Sequence, residues 1–297
     1  MDKEHKAIER LKLGAEMSQA YYGKPLVITY SGGKDSECLL ELARRSGIDF
    51  ELHHSHTTAD APVTVRHVRN VFQEMELQGI KCNIDYHVNP DYPGGRVTMW
   101  NLIPKKLMPP TRIARYCCSV LKETANNNRM IATGIRKFES IKRRERESFE
   151  VITSKKYDRI ALSDEIMLMT DNGERRRMIE KCEMKAKTVV NPIIDWTDSE
   201  VIDYFKHECK FQNPFYKQTG LTRCGCIGCP MAGKGRWTEF RIFPKFKQMY
   251  MNAFERMLKE VKKKHGHNQT RWIDAEAVFL WWMEDKNIPG QMELKFD

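Results

Sequence analysis

Leu26-Val-Ile-Thr-Tyr-Ser-Gly-Gly-Lys-Asp-Ser36 is the stretch on which the reading of this chain turns. An apolar, β-branched run stops abruptly at Ser31-Gly32-Gly33-Lys34-Asp35-Ser36, and the apolar-periodic Cys38, Leu39, Leu40, Leu42 and Ala43 follow. That pattern predicts a buried strand, a tight glycine turn and a helix. Such a turn aims unpaired backbone N–H groups and the positive end of the helix at one spot, which suits an anion. Gly32 and Gly33 let the backbone approach phosphate oxygens, Lys34 adds a positive charge, and Ser31 and Ser36 add hydroxyl donors. The Walker loop is excluded, because it places four residues between its first glycine and its Gly-Lys pair.

Working outward, helical spacing over residues 3–22 precedes the strand. A second strand is predicted near residues 50–54, a helix over 63–79 and a third strand over 82–88. Further strands are predicted at 130–133 and 189–194. Thr197-Asp-Ser-Glu200 reads as a capping box opening a helix through about His207. Alternating strands and helices predict a mostly parallel α/β sheet with right-handed crossovers. A surface hairpin or insertion is expected over 171–187, where Asp171-Asn-Gly173 marks a turn. The last third changes character: Phe246, Met249, Tyr250, Ala253, Phe254, Met257, Leu258 and Val261 predict one long amphipathic helix ending in Lys262-Lys-Lys-His265. A final helix at about 274–285 carries Val278, Trp281 and Trp282, read as core or docking residues with base stacking as the alternative. The division that follows is an N-terminal helix at 1–23, a nucleotide-loop domain at 24–235 and a helical extension at 236–297.

At 297 residues and 34.9 kDa, with 41% hydrophobic residues, the chain can bury a good core. Mean hydropathy is -0.61, and no apolar run approaches the ~18 residues of a membrane span. The charged start, Met1-Asp-Lys-Glu-His-Lys6, is unlike a secretory leader, so a cytoplasmic protein is expected. A net charge of +10 and a pI near 9.1 favour a polyanionic partner such as nucleic acid or a nucleotide. Lys142-Arg-Arg-Glu-Arg146 is either a solvated helix face or an electropositive wall.

Nine cysteines in a reducing compartment point to metal or thiol chemistry rather than disulfides. Cys38, Cys82, Cys182 and Cys209 lie singly and read as small buried hydrophobes. Cys226-x-x-Cys229 has the spacing by which two thiolates grip one tetrahedral metal or two corners of an iron–sulfur cube. Cys117 and Cys118 complete a set of four, with Zn2+ as the structural alternative. Arg112, Arg115 and Lys122 would favour thiolates there. Cys224 adds a further thiol two residues upstream. His53, His54 and His56 are left unassigned, because a strand end with polar residues explains them.

The loop resembles the pyrophosphate loop of ATP pyrophosphatases (the PP-loop). With five further strings the chain resembles the phosphoadenosine phosphosulfate (PAPS) reductase family of adenine-nucleotide α-hydrolase-like (HUP) proteins. The strings are Pro109-Pro-Thr-Arg-x-x-Arg-Tyr-Cys-Cys-Ser-x-Leu-Lys122, Gly134-Ile-Arg-x-x-Glu-Ser140, Asn191-Pro-Ile-Ile-Asp-Trp196, Asn213-Pro-x-Tyr216 and Cys226-Ile-Gly-Cys-Pro230. The resemblance implies a five-stranded, mainly parallel sheet flanked by helices, with ATP or PAPS at the loop. It also implies a 4Fe-4S cluster on Cys117, Cys118, Cys226 and Cys229, and anion ligation by Arg136 and Arg143, for which surface salt bridges are the alternative. Two departures separate the chain from sulfonucleotide reductases. His56-Thr-Thr-Ala-Asp60 stands where they carry Leu-Asp-Thr-Gly, and no cysteine follows Cys229 to act as their tail nucleophile. DNA phosphorothioation sulfurtransferases and some tRNA-thiolating enzymes are the nearer type.

That likeness implies ATP held by Ser31, Gly32, Gly33, Lys34, Asp35 and Ser36, with Mg2+ met by Asp35 or Asp60. Lys34 and Asp35 are then the catalytic candidates in adenylation, and Cys224 the candidate persulfide carrier. DNA or tRNA is the expected acceptor, a cysteine desulfurase the kind of sulfur donor, and a homodimer is compatible with this reading. A reductase acting on small nucleotides and a non-catalytic nucleotide-binding module are the alternatives.

Overall fold

The computed structural model describes residues 2–152, 159–162, 187–265, 270 and 272–284, and in it the glycine turn joins a buried strand to a helix as predicted. In chain order the elements are α1 (Lys3–Tyr22), β1 (Leu26–Thr29), α2 (Lys34–Ser46), β2 (Phe50–Ser55), α3 (Pro62–Leu77), β3 (Cys82–Asp85), α4 (Met99–Lys106), α5 (Tyr116–Leu121), β4 (Met130–Ala132), β5 (Phe149–Ile152), β6 (Arg159–Leu162), β7 (Lys187–Val190), α6 (Asp198–His207), α7 (Phe215–Thr219), α8 (Gly235–Ile242), α9 (Pro244–His265) and α10 (Ala275–Glu284). They fall into two compact units that interleave along the sequence.

The first unit comprises residues 1–55, 62–85 and 124–224. It holds a seven-stranded sheet in the order β3-β2-β1-β4-β7-β5-β6. The five strands from β3 to β7 in that order pair in parallel, which is the expected parallel core. The antiparallel β5 and β6 extend it at one edge. Strand β7 stops at Val190, short of the predicted 194, because Pro192 cannot donate to a ladder and Asn191–Ile194 turns instead. The hairpin expected over 171–187 lies outside the described residues, apart from Lys187, which opens β7. Leu26, Ile28, Leu39, Leu42, Met130 and Val190 are among the buried residues filling the space between sheet and helices. The Thr197 capping box forms: Thr197 Oγ1 accepts from the Glu200 N–H at 3.3 Å and Glu200 Oε2 accepts from the Thr197 N–H at 2.7 Å.

The second unit comprises residues 56–61, 86–123 and 225–297. Its core is aromatic: Tyr250 lies 4.7 Å from Trp282 and 5.1 Å from Trp100, centroid to centroid. The Trp282 indole N–H donates to Pro110 O at 2.7 Å, so this tryptophan is a core residue and its stacking on a base is ruled out by burial. Among the described residues, no helix is long and apolar enough to cross a membrane.

Candidate functional site

The turn after β1 is held open at its rim and closed beneath. Ser31, Gly33, Lys34 and Asp35 are exposed or half-buried, while Gly32 and Ser36 are buried. Gly32 has φ of +72°, and a Cβ there would sit 3.1 Å from Thr64 Cγ2 and 3.2 Å from Val68 Cγ2, so only glycine suits the position. Ser36 Oγ donates to Gly33 O at 2.8 Å and accepts from the Ser31 N–H at 3.2 Å, which cross-braces the loop. The Lys34 N–H donates to the Tyr216 hydroxyl at 2.8 Å. Below the loop, Tyr30 donates to Glu37 Oε1 at 2.7 Å and His67 Nε2 lies 2.6 Å from the same oxygen. Burial raises the Glu37 carboxyl above its usual range, with His67 and Tyr30 opposing.

Arg136, expected as an anion ligand, is spent on the protein itself. It is 1% exposed; Nε donates to Asp35 Oδ1 at 2.6 Å, Nη2 to Asp198 Oδ1 at 2.7 Å and Nη1 to Trp196 O at 3.3 Å. Its geometry makes it the residue that orients Asp35, whose Oδ2 accepts from Lys34 Nζ at 3.4 Å. Gly134 allows this, because a Cβ there would lie 3.0 Å from the Asp35 carbonyl oxygen. Arg136→Ala is expected to cost about 3 kcal/mol in urea unfolding, the low end for breaking a buried pair, since Asp198 is largely exposed. Arg143, half-buried, pairs with Glu139.

Cys224 belongs to the same unit as the loop. Its Sγ lies 3.3 Å from Thr64 Oγ1 and 3.8 Å from Asn213 Nδ2. The same Asn213 amide donates to Gly32 O at 2.6 Å, so one side chain ties the thiol to the loop. Burial, then Cys224, push the Tyr216 phenol above its usual range. Thr64, Asn213 and Tyr216 carry no role in the reading of the sequence alone. The Asn213-Pro-x-Tyr216 string was the available signal.

The other four candidate cysteines come together in the second unit. Cys117 is close enough to Cys118, Cys226 and Cys229 for their charges to interact. The Cys118 thiol is driven well below its ordinary range by its neighbour Cys117 and by Arg115, Nη2 of which lies 3.4 Å from the sulfur. Burial pushes Cys226 up to about 11, against the pull of Lys122. In return Cys226, then Asp60, hold the Lys122 ammonium in its charged form. Arg115 thus attends the cysteines, and Arg112 Nε donates to Pro230 O at 3.3 Å. Asp60 also belongs here: its Oδ2 accepts from the Thr57 N–H at 3.0 Å and hydroxyl at 2.7 Å, and its Oδ1 lies 3.8 Å from Cys226 Sγ. Four thiols with adjacent cations fit a polythiolate-bound, negatively charged group. Gly228, between Cys226 and Cys229, has φ of +75°, and a Cβ there would meet Phe240 Cζ at 2.5 Å and Tyr250 Cε2 at 2.9 Å. Gly228→Ala is expected to destabilise the chain by about 2–3 kcal/mol, read from its thermal midpoint, through backbone strain and overpacking together.

Residues 25–232 match the family model of the phosphoadenosine phosphosulfate reductase domain. The chain therefore belongs to that family, a family of enzymes that bind nucleotides. No curated protein matches it in sequence. Among solved structures it is similar to phosphoadenylyl-sulfate reductase from Candida auris in a phosphate complex, at 14% identity over 74% of this chain and 88% of that one, TM-score 0.41. It is similar to the U34-tRNA thiolase NcsA from Methanococcus maripaludis with its 4Fe-4S cluster, at 12% identity over 89% and 83%, TM-score 0.39. NMN synthetase from Francisella tularensis is a third, at 12% identity over 92% and 98%, TM-score 0.34.

Proposed function

We propose that the chain is an ATP pyrophosphatase and sulfurtransferase that adenylates an oxygen of a nucleic acid and replaces it with sulfur. The observation that carries this reading is the Cys224 thiol, held beside Gly32 by Asn213 and Thr64. A thiol in that place is suited to deliver sulfur to a substrate activated at the loop.

The loop amides and the hydroxyls of Ser31 and Ser36 bind the β and γ phosphates, and Lys34 neutralises charge on the departing pyrophosphate. Arg136 keeps Asp35 beside Lys34; Asp35 would help hold a Mg2+ ion, which would supply further neutralisation of phosphate charge. The acceptor oxygen attacks the α-phosphorus and pyrophosphate leaves. The terminal sulfur of a Cys224 persulfide, loaded by a donor such as a cysteine desulfurase, then attacks the atom bearing the adenylated oxygen, and AMP departs with that oxygen. A reducing dithiol cleaves the resulting disulfide between Cys224 and the acceptor, which frees the thiolated product and the Cys224 thiol, while the dithiol is oxidised.

Cys117, Cys118, Cys226 and Cys229 would hold a 4Fe-4S cluster, one thiolate to each iron, and the cluster would supply one-electron redox chemistry. Among the described residues no three of these sulfurs lie within 4.8 Å of one another. Zn2+ is the alternative occupant of the same four thiols. Most of the chain's +10 charge falls in the unit that holds these thiols, which favours a polyanionic acceptor.

The family match favours a second reading, a sulfonucleotide reductase on a small nucleotide. Anaerobically purified protein decides between them. Nucleic-acid-dependent release of pyrophosphate from ATP, with steeply salt-dependent binding, is expected. Sulfite release from phosphoadenosine phosphosulfate, without pyrophosphate release from ATP, would replace this proposal with the reductase.

A further inference from the structure

The Cys226–Cys229 loop is shaped by the chain's own side chains before any group binds. The Ile227 N–H donates to Ala59 O at 2.8 Å, and the Ile227 carbonyl accepts from the Tyr250 hydroxyl at 3.0 Å. The Gly228 N–H donates to Glu239 Oε2 at 2.7 Å. Tyr250 is 1% exposed and Glu239 5% exposed, on α9 and α8 respectively. Helix α8 is anchored nearby: fully buried Arg236, also on α8, donates to the carbonyls of Trp282 and Met283 on α10 at 2.9 and 3.2 Å. Three backbone polar atoms of Ile227 and Gly228 are thus taken by three separate segments, which leaves the loop little freedom to move.

The choice of partners has an electrostatic consequence. A backbone N–H in a cysteine loop that points at sulfur stabilises the reduced, more negative form of a bound cluster. Here the Gly228 N–H is engaged by a carboxylate instead, and that carboxylate sits buried next to the loop. Withholding a donor and adding an acidic group act in the same direction.

We propose that Glu239 and Tyr250 are positioning residues for the Cys226–Cys229 loop, and that the Glu239 carboxylate lowers the reduction potential of the group held there. The second half rests on the reading of the four thiols as cluster ligands.

Glu239→Gln and Tyr250→Phe in the full chain test both halves, each change keeping the shape of the side chain. In metal-free protein, iodoacetamide is expected to alkylate Cys226 and Cys229 several-fold faster in either variant, with Cys117 and Cys118 unchanged. In anaerobically loaded protein, Glu239→Gln is expected to keep its iron and sulfide and to titrate at a higher midpoint potential than wild type. Unchanged alkylation rates overturn the positioning role, and an unchanged potential overturns the electrostatic one. A wild-type chain that takes up no iron removes the cluster reading and the potential claim with it, while the alkylation rates still decide the positioning of the loop.

Discussion

Lys34→Ala is expected to reduce pyrophosphate release from ATP about a thousand-fold, equivalent to ~4 kcal/mol of transition-state stabilisation, with little change in thermal midpoint. The ammonium sits in the first turn of α2, where unpaired amides and the helix dipole already favour anions. Asp35 holds it at 3.4 Å, and Arg136 in turn holds Asp35, so the cation is placed before substrate arrives. Charge that develops on leaving pyrophosphate would otherwise be met by mobile water, which must reorganise. Stability changes little because the pair with Asp35 is partly solvated and worth only about 1 kcal/mol at most. The checking measurement is kcat for pyrophosphate release at saturating ATP. Full activity in the variant would remove this loop as the reaction centre.

The parts of this site that were legible in the sequence are those fixed by local chemistry. A β-branched run, two glycines and a lysine within eleven residues determine the strand, turn and helix with no help from distant segments. The Thr197 capping box is local in the same way. The sequence is silent where long-range contacts decide. Arg136 follows Gly134 in a string that suggests an anion ligand, yet the close approach of Gly134 to Asp35 buries the guanidinium between two carboxylates. Cys224 stands out in the sequence as the persulfide candidate, but its surroundings do not. Its sulfur meets Thr64, 160 residues away in sequence, and Asn213, which reaches back to Gly32 across 181 residues. No periodicity or spacing rule encodes such meetings. The two antiparallel strands at the sheet edge escaped for a related reason, since four-residue strands such as Phe149–Ile152 take their stability from pairing rather than pattern.

Cys224→Ser is expected to separate the two half-reactions. Sulfur incorporation should fall at least about a thousand-fold, as removal of a covalent carrier does, while ATP-dependent adenylation of the acceptor and pyrophosphate release continue. Serine keeps the hydrogen-bonding partners of the thiol at Thr64 and Asn213, so the loop geometry at Gly32 survives the change. What is lost is the ability to form an S–S bond. The variant should therefore accumulate adenylated acceptor, measurable as radiolabel retained from α-labelled ATP, whereas wild type with a sulfur donor releases it as AMP. Mass spectrometry after incubation with a cysteine desulfurase and cysteine should add one sulfur atom to the Cys224 peptide of wild type, and leave the corresponding peptide of the variant unmodified. If Cys224→Ser still thiolates at the wild-type rate, the sulfur does not travel on this residue. Loss of pyrophosphate release along with thiolation would give the thiol a part in the first chemical step, where the nucleotide is cut.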